Sequence, residues 1–423
     1  MNNRTRKSYI ILLAFVLALS LFTMSSCFLL EEEAPALTKE EVQNMLNNTM
    51  NGNVTVEGGD NYDVTINGAM LDNAVAGKTL LSAVSIRCIF KVTTGGTIFQ
   101  PETTKEQTSA GSGVIFKMDK ERGDAYVITN YHVVYDVNSQ TENGISNNIS
   151  LYLYGQEVED YAIPATYVGG SMLYDIAILK VTGSRVLAES NATVVTFADS
   201  NEVSVLDKAI AVGNPEALGI SATLGYVNVD SEYIRMNALD GSGVMDLRVM
   251  RIDTAVNSGN SGGGLFNSSG DLIGIVNAKL ASSEGMSYAI PSNFVKYVTE
   301  NILYYCNGTE YESVFRCYLG ITVTQNKMYT VYDTETGKVH KREQVAVSDI
   351  TAGGLAEGKL NIGDIINHIT IDGVKYETLR MYCVTDPMLN ARVGSKVVVN
   401  VTRGTEVLDI ELEITESALT LVR

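Results

Sequence analysis

The sequence predicts a mainly β protein, its strands closed into barrels and followed by a smaller β unit that carries helices. Three observations predict it. Short apolar runs punctuated by Gly, Asn and Asp recur from Leu80 onward, among them Val84-Ser85-Ile86-Arg87, Gly113-Val114-Ile115-Phe116, Ala125-Tyr126-Val127-Ile128, Ile149 to Tyr154, and Ala209-Ile210-Ala211-Val212. Strands at that spacing read as a sandwich or a barrel. A content of 45% hydrophobic residues with 37 glycines and no tryptophan is too apolar for a disordered chain and suits a strand-rich one. Finally, 423 residues suffice for two domains.

The elements follow in chain order. Met1 to Tyr9 carries Arg4, Arg6 and Lys7, Ile10 to Phe22 is almost wholly apolar, and Met24-Ser25-Ser26-Cys27 follows. This is the three-part layout of a secretory signal over 1–26. The small pair before Cys27 resembles a bacterial lipoprotein processing site, which makes Cys27 the candidate lipidation residue. The apolar run is short for a span of about 20 residues. An uncleaved signal anchor is the alternative, and both readings put the rest outside the cytoplasm. Residues 27–78 read as an anchored tether with a small N-terminal segment. In it Thr38-Lys39-Glu40-Glu41 is a capping box that opens a short helix. Asn53 to Glu57 and Tyr62 to Ile66 alternate as in a small hairpin, or belong to a loose linker. Farther on, Pro291 opens a helix to about Tyr305, with Phe294, Val295, Val298, Ile302 and Leu303 on its buried side.

Three residues carry a chemical pattern. Ser261 sits in Asn257-Ser258-Gly259-Asn260-Ser261-Gly262-Gly263-Gly264, a run of small residues between strands. Such a loop lets backbone N–H groups converge on an oxygen that becomes negative during acyl transfer. His132, one of three histidines, ends the apolar strand that closes with Thr129-Asn130-Tyr131, and Asp175 opens the run Ile176-Ala177-Ile178-Leu179. A serine hydroxyl needs an imidazole to take its proton, and the imidazole needs a carboxylate to fix its tautomer. The order His, Asp, Ser belongs to the chymotrypsin-like double β-barrel. An esterase elbow would require a helix after Gly259-Asn260-Ser261-Gly262-Gly263, and a strand follows instead. Backbone N–H groups of Gly259 and Ser261, with Asn260 between them, are the expected oxyanion hole.

Thr129-Asn130-Tyr131-His132-Val133-Val134, Asp175 to Val181, and Gly259 to Gly263 resemble the three signature blocks of the Deg/high-temperature-requirement (HtrA) family of serine proteases. Gly111-Ser112-Gly113, Ala211-Val212-Gly213-Asn214-Pro215 and Gly285 to Pro291 extend the likeness, which runs from about Leu80 to the C-terminus. The resemblance implies a trypsin-like protease domain over 79–307 and a single PDZ domain over 314–418. It implies catalysis by His132, Asp175 and Ser261, with unfolded or damaged polypeptides as substrates in protein quality control. It places Ala255 and Asn277 at the substrate pocket. Ala255 stands where a trypsin-like enzyme carries an aspartate, which implies cleavage after small or medium apolar residues. Tyr318, Leu319, Gly320 and Ile321 would form the loop that takes the terminal carboxylate of a peptide C-terminus. A segment over Asp230 to Leu247 would sense PDZ occupancy, and the assembly would be a homotrimer. The alternative is a chaperone-like or peptide-binding scaffold lipoprotein on an inactive protease fold.

Charge narrows the partners. The formal charge of −18 becomes −21 once the first 26 residues, with three basic groups and no acid, are removed. An acidic surface argues against nucleic acid, which needs Lys/Arg phosphate contacts, so membrane contact falls to the lipid anchor. Cys88, Cys306, Cys317 and Cys383 allow three pairings, of which Cys306 with Cys317, near neighbours at the domain junction, is the candidate bridge. No cysteine has metal-ligand spacing, so no metal and no cofactor is expected. His340 and His368 read as solvent or packing residues.

Overall fold

Val84, Ile86, Cys88 and Phe90 all face inward along one strand, the period-2 signature of a wall with one face on a core. That strand belongs to a computed structural model that describes residues 54–57, 63–66, 73–94, 103–277, 286–306 and 314–422. The signal, Cys27, the capping-box helix and Gly285 lie outside the described residues. The chain divides into two compact units, Met1–Met70 and Leu71–Arg423. In the first, β1 (Val54–Glu57) and β2 (Asp63–Ile66) pair antiparallel, the hairpin that their alternation suggests.

The second unit opens with a helix, Asn73–Leu80, that no sequence signal announced. Its Lys78 Nζ meets Asp271 Oδ1 at 2.5 Å. β3 (Ala83–Thr94), β4 (Thr103–Asp119), β5 (Asp124–Thr129), β6 (Asn148–Leu153), β7 (Ile163–Ser171) and β8 (Ile176–Val181) close a barrel in the order β3-β4-β5-β8-β7-β6. β9 (Lys208–Gly213), β10 (Ser221–Asn237), β11 (Val244–Ile252), β12 (Gly264–Phe266), β13 (Leu272–Asn277) and β14 (Ser287–Pro291) close a second, β10-β11-β14-β13-β12-β9. This is the mainly β, chymotrypsin-like double barrel of the sequence reading. Ile128 and Ile178 of the first barrel share one buried cluster with Val212, Phe266 and Ile275 of the second. Truncating Phe266 to alanine there costs about 3–5 kcal/mol by the usual cavity term.

The helix Ser292–Tyr305 lays Phe294, Val295, Val298 and Ile302 on that same cluster. Beyond it stand β15 (Val314–Cys317), β16 (Ile321–Tyr332), β17 (Val339–Ile350), β18 (Ile365–Ile371), β19 (Val374–Glu377), β20 (Lys396–Arg403), β21 (Glu406–Glu413) and β22 (Leu419–Val422). The main sheet runs β16-β17-β18-β20-β21, so β16 is an edge strand, and β15 pairs with β22. A polar seam joins this C-terminal sheet to the barrels. Arg248 Nη2 donates to Asp386 Oδ2 at 2.6 Å, both side chains buried, and its guanidinium lies 4.1 Å over the Tyr382 ring. Asn301 Nδ2 donates to the carbonyls of Phe315 and Leu389, at 2.7 and 2.6 Å. Arg380 Nη1 reaches Asp230 Oδ2 at 2.9 Å, and Lys338 Nζ reaches Asp207 Oδ2 at 2.7 Å.

The expected Cys306–Cys317 bridge is not there. Cys88, Cys306, Cys317 and Cys383 are all buried thiols. Cys306 caps the long helix and belongs to the barrel cluster, whereas Cys317 belongs to the core of the C-terminal sheet. The two side chains serve different cores. Burial pushes the Cys88 and Cys317 thiols up to about 12 and Cys383 to about 11.

Candidate active site

β5 stops at Thr129, and the chain turns into a single helical turn, Tyr131–Val134, that carries His132. Asp175 ends the β7–β8 turn in a left-handed conformation, φ +50°, which aspartate tolerates better than most residues. The twist sends its carbonyl to Asn130 Nδ2 at 2.8 Å and its carboxylate to His132. His132 N donates to Oδ1 at 3.0 Å, and His132 Nδ1 lies 2.7 Å from Oδ2. Nδ1–H facing a carboxylate leaves the lone pair on Nε2, the tautomer a general base requires. Asp175 is 1% exposed, so the carboxylate has little water to compensate for a lost donor.

Ser261 lies in the loop between β11 and β12, and Ser112 of β4 clamps that loop across the barrels. Ser112 N donates to Ser261 O at 2.8 Å, and its hydroxyl donates to Gly259 O at 2.7 Å. The same hydroxyl accepts from Asn214 N at 2.8 Å, and Thr129 Oγ1 donates to Ser112 O at 2.7 Å. One residue thus ties the serine loop to the strand that delivers the histidine. Glycine is obligatory at Gly262: with φ +84°, a Cβ there would fall 2.3 Å from Thr129 Oγ1 and 2.2 Å from Ser112 O. The Ser261 loop and the His132 turn are therefore packed together, although among the described residues no hydrogen bond joins the Ser261 hydroxyl to the imidazole.

Ser261 and Asn260 are buried, and the N–H groups of Gly259 and Ser261 are engaged in no hydrogen bond within the described structure. Their neighbours are committed: Asn260 N donates to Asn257 O at 3.0 Å and Gly262 N to Val276 O at 2.9 Å. Two uncommitted donors beside a serine are what an oxyanion hole consists of. Gly259 has φ +99°, and a Cβ there would lie 2.3 Å from Asn214 O. What presses on it is an exposed turn with Glu216 at φ +54° and Ala217 at φ +58°. Glu216 N donates to Ser258 O at 2.8 Å, and Leu218 beside it is 83% exposed.

Ala255 is exposed at the loop edge, its carbonyl accepting from Thr223 Oγ1 at 3.0 Å. Asn277, expected on the pocket wall, turns its amide onto the Asp175 carboxylate: Nδ2 donates to Asp175 Oδ2 at 2.9 Å, and the residue is 2% exposed. Its place at the end of β13 in the second barrel, 102 residues along the chain from Asp175 of the first, is why the chain alone gave no sign of the contact. The clamp made by Ser112 has no sign in Gly111-Ser112-Gly113 itself, since its partners lie at Gly259 and Asn214. Tyr318 is exposed and Leu319 buried in the C-terminal core, while Gly320 at φ +75° leads into Ile321 and the edge strand β16. His340 is buried in the seam, Nδ1 lying 3.2 Å from Ser204 Oγ. Among the described residues no cluster of His, Cys, Asp and Glu could hold a metal.

Two closed barrels with His, Asp and Ser converging at strand ends define a trypsin-like serine endopeptidase, and the trypsin-like peptidase domain family matches residues 111–275. Serine protease Do-like HtrA of Bacillus subtilis (strain 168) is 31% identical over 347 residues, which span 79% of this chain and 68% of that protein. Periplasmic serine endoprotease DegP of Escherichia coli (strain K12) is 30% identical over 316 residues, 73% of this chain and 57% of that protein. The chain belongs to the HtrA family of serine proteases. It shares its fold with a solved HtrA-type protease, AlgW with tripeptide, at a TM-score of 0.50 and 22% identity, over 82% of this chain and 97% of that one.

Proposed function

We propose that this chain is an extracytoplasmic serine endopeptidase that cleaves unfolded or damaged polypeptides in protein quality control. The observation that carries it is the His132 Nδ1 to Asp175 Oδ2 contact at 2.7 Å beside a serine loop with two uncommitted N–H donors. Ser261 attacks the scissile carbonyl while His132 Nε2 accepts its proton. Gly259 and Ser261 N–H groups receive the oxyanion, each such donor contributing about 3 kcal/mol. His132 returns the proton to the leaving amine, and Asp175 stabilises the imidazolium between the two transfers. Exposed Ala255, with no carboxylate to pair a basic side chain, supports cleavage after small or medium apolar residues. Profiling that returned strict cleavage after Arg would overturn that preference.

Residues 79–307 form the protease domain in this reading and 314–418 a PDZ domain. A peptide C-terminus would add to the free edge of β16, its carboxylate received by Tyr318 to Ile321. Regulation has a route: the segment from Asp230 to Leu247 is bracketed by two contacts with the stretch between β19 and β20, Asp230 with Arg380 and Arg248 with Asp386. Peptides ending in an apolar carboxylate should raise turnover through it. Lipidation at Cys27 would anchor the enzyme to a membrane, and DegP is periplasmic by its name. A homotrimer is the proposed assembly.

The test is the nucleophile. A fluorophosphonate probe should label Ser261 in the wild type, and Ser261→Ala should lose casein cleavage while melting as before. Wild-type cleavage by the purified variant would end the proposal.

A further inference from the structure

Gly259 and Ser261, the residues that offer their N–H groups to the oxyanion, are both gripped by their carbonyls, and by one residue. Ser112 Oγ donates to Gly259 O at 2.7 Å, and Ser112 N donates to Ser261 O at 2.8 Å. Peptide units are planar, so fixing the plane on each side of a residue fixes its φ and ψ. The carbonyls one residue earlier are held as well: Ser258 O accepts from Glu216 N at 2.8 Å, and Asn260 O from Gly263 N at 2.9 Å. Around Ser261 both grips are backbone to backbone. Gly259 has φ +99° and no side chain to resist rotation, and there one grip is a hydroxyl. That hydroxyl is itself fixed. It accepts from Asn214 N at 2.8 Å, which leaves its hydrogen for Gly259 O. Asn214 is anchored in turn, Nδ2 donating to Ser85 Oγ at 2.5 Å and Oδ1 accepting from Gly219 N at 2.7 Å. Ser112, Asn214 and Gly259 are all buried, so losing the hydroxyl leaves a buried donor and a buried acceptor unmet.

We infer that the Ser112 hydroxyl is a positioning group for the oxyanion hole, holding Gly259 so that its N–H points where the oxyanion forms, an inference that rests on the catalytic reading above. A donor in such a hole counts only when it is aimed in advance at the oxygen that becomes negative. Serine suits the place because a hydroxyl donates and accepts at once. Cysteine is close in shape but weak in both roles, and alanine has neither. The oxyanion exists in the transition state and not in the bound substrate. Loss of the hydroxyl should therefore appear in kcat and spare KM.

The experiment uses the full chain and a fluorogenic peptide with valine before the cut. Ser112→Ala deletes the hydroxyl and keeps the backbone bond from Ser112 N to Ser261 O. It should lower kcat by about 10-fold, with KM within about twofold of wild type. Ser112→Cys restores most of the lost volume and should fall near the alanine variant; a cysteine variant at the wild-type rate would reduce Ser112 to packing and overturn the inference. A second readout needs no turnover. Amide hydrogen exchange over residues 257–263, followed by mass spectrometry, should quicken about fivefold or more in both variants, while β20 keeps its wild-type rate. An alanine variant with kcat within twofold of wild type, or unchanged exchange over 257–263, also overturns the inference. A wild-type Ser261 that takes no fluorophosphonate would end the catalytic reading instead, and the exchange measurement would still decide whether Ser112 holds the loop.

Discussion

Asp175 and Asp386 are both buried carboxylates, and they are satisfied in opposite ways. Asp175 receives N–H groups from a backbone amide, an imidazole and an asparagine side chain. Asp386 faces a permanent cation: Arg248, stacked on Tyr382, at 2.6 Å. Burial pushes the Asp386 carboxyl above the usual carboxylate range, against the pull of Arg248 and Arg316. A charge held by neutral donors stays available to stabilise a cation that forms only during reaction. One already neutralised by arginine can only hold a seam together. Burying a carboxylate thus yields chemistry or adhesion, depending on whether its partner carries charge from the start.

Asp175→Asn should break the contrast most severely. It reverses the hydrogen-bond polarity toward Nδ1 and stabilises the wrong tautomer, for an expected loss on the order of 10⁴ in kcat with little change in melting. Peptide hydrolysis and calorimetry on the same preparation check both halves. The second largest effect belongs to the seam. Arg248→Ala leaves Asp386 buried and unpaired, which should cost about 3–5 kcal/mol in chemical denaturation, whereas Arg248→Met with Asp386→Leu should recover most of it. An alanine variant as stable as wild type would show that the pair does not hold the seam.

Asp364 sharpens the comparison from the side of pH. The Arg403 fork donates to both its oxygens, at 2.8 and 2.7 Å, and holds its carboxyl below the usual range. A depressed folded pKa makes this contribution present above the unfolded value near pH ~4 and lost as pH falls through the folded one. Melting temperature should therefore fall more steeply from pH 5 to pH 2 in wild type than in Asp364→Asn. The smallest change is expected from Ala217→Gly, on an exposed turn. Removing a Cβ at φ +58° should raise stability by about 1 kcal/mol or less, with hydrolysis within a few-fold of wild type.

The fold was legible because its strands alternate and its turns are punctuated, and the three catalytic candidates because each sits where an apolar run breaks. The helix Ser292–Tyr305 was readable from its apolar stripe. Helix Asn73–Leu80 was not: it has a Gly at its centre and lacks an acidic first turn, and its packing on the barrel supplies what propensity does not. The contact of Asn277 with Asp175 was not legible, because chain position fixes which strand a residue ends, not where its amide turns. The cysteines misled for a related reason. Closeness along the chain between Cys306 and Cys317 says nothing about which core each thiol faces. Ser112 is a two-way hydroxyl whose partners, Gly259 and Asn214, come from the other barrel, so no local pattern could disclose it.

The Glu216–Ala217 turn has one further consequence. A peptide unit is planar, with its carbonyl and its N–H on opposite sides. Glu216 N–H grips the carbonyl of Ser258, so the amide of Gly259, in the same plane, must aim the other way. Two residues in a costly backbone conformation therefore act as the stop that keeps the Gly259 amide, one donor of the proposed oxyanion hole, from swinging round. The aim of that amide is fixed by an exposed turn that precedes β10, far from Ser258 along the chain.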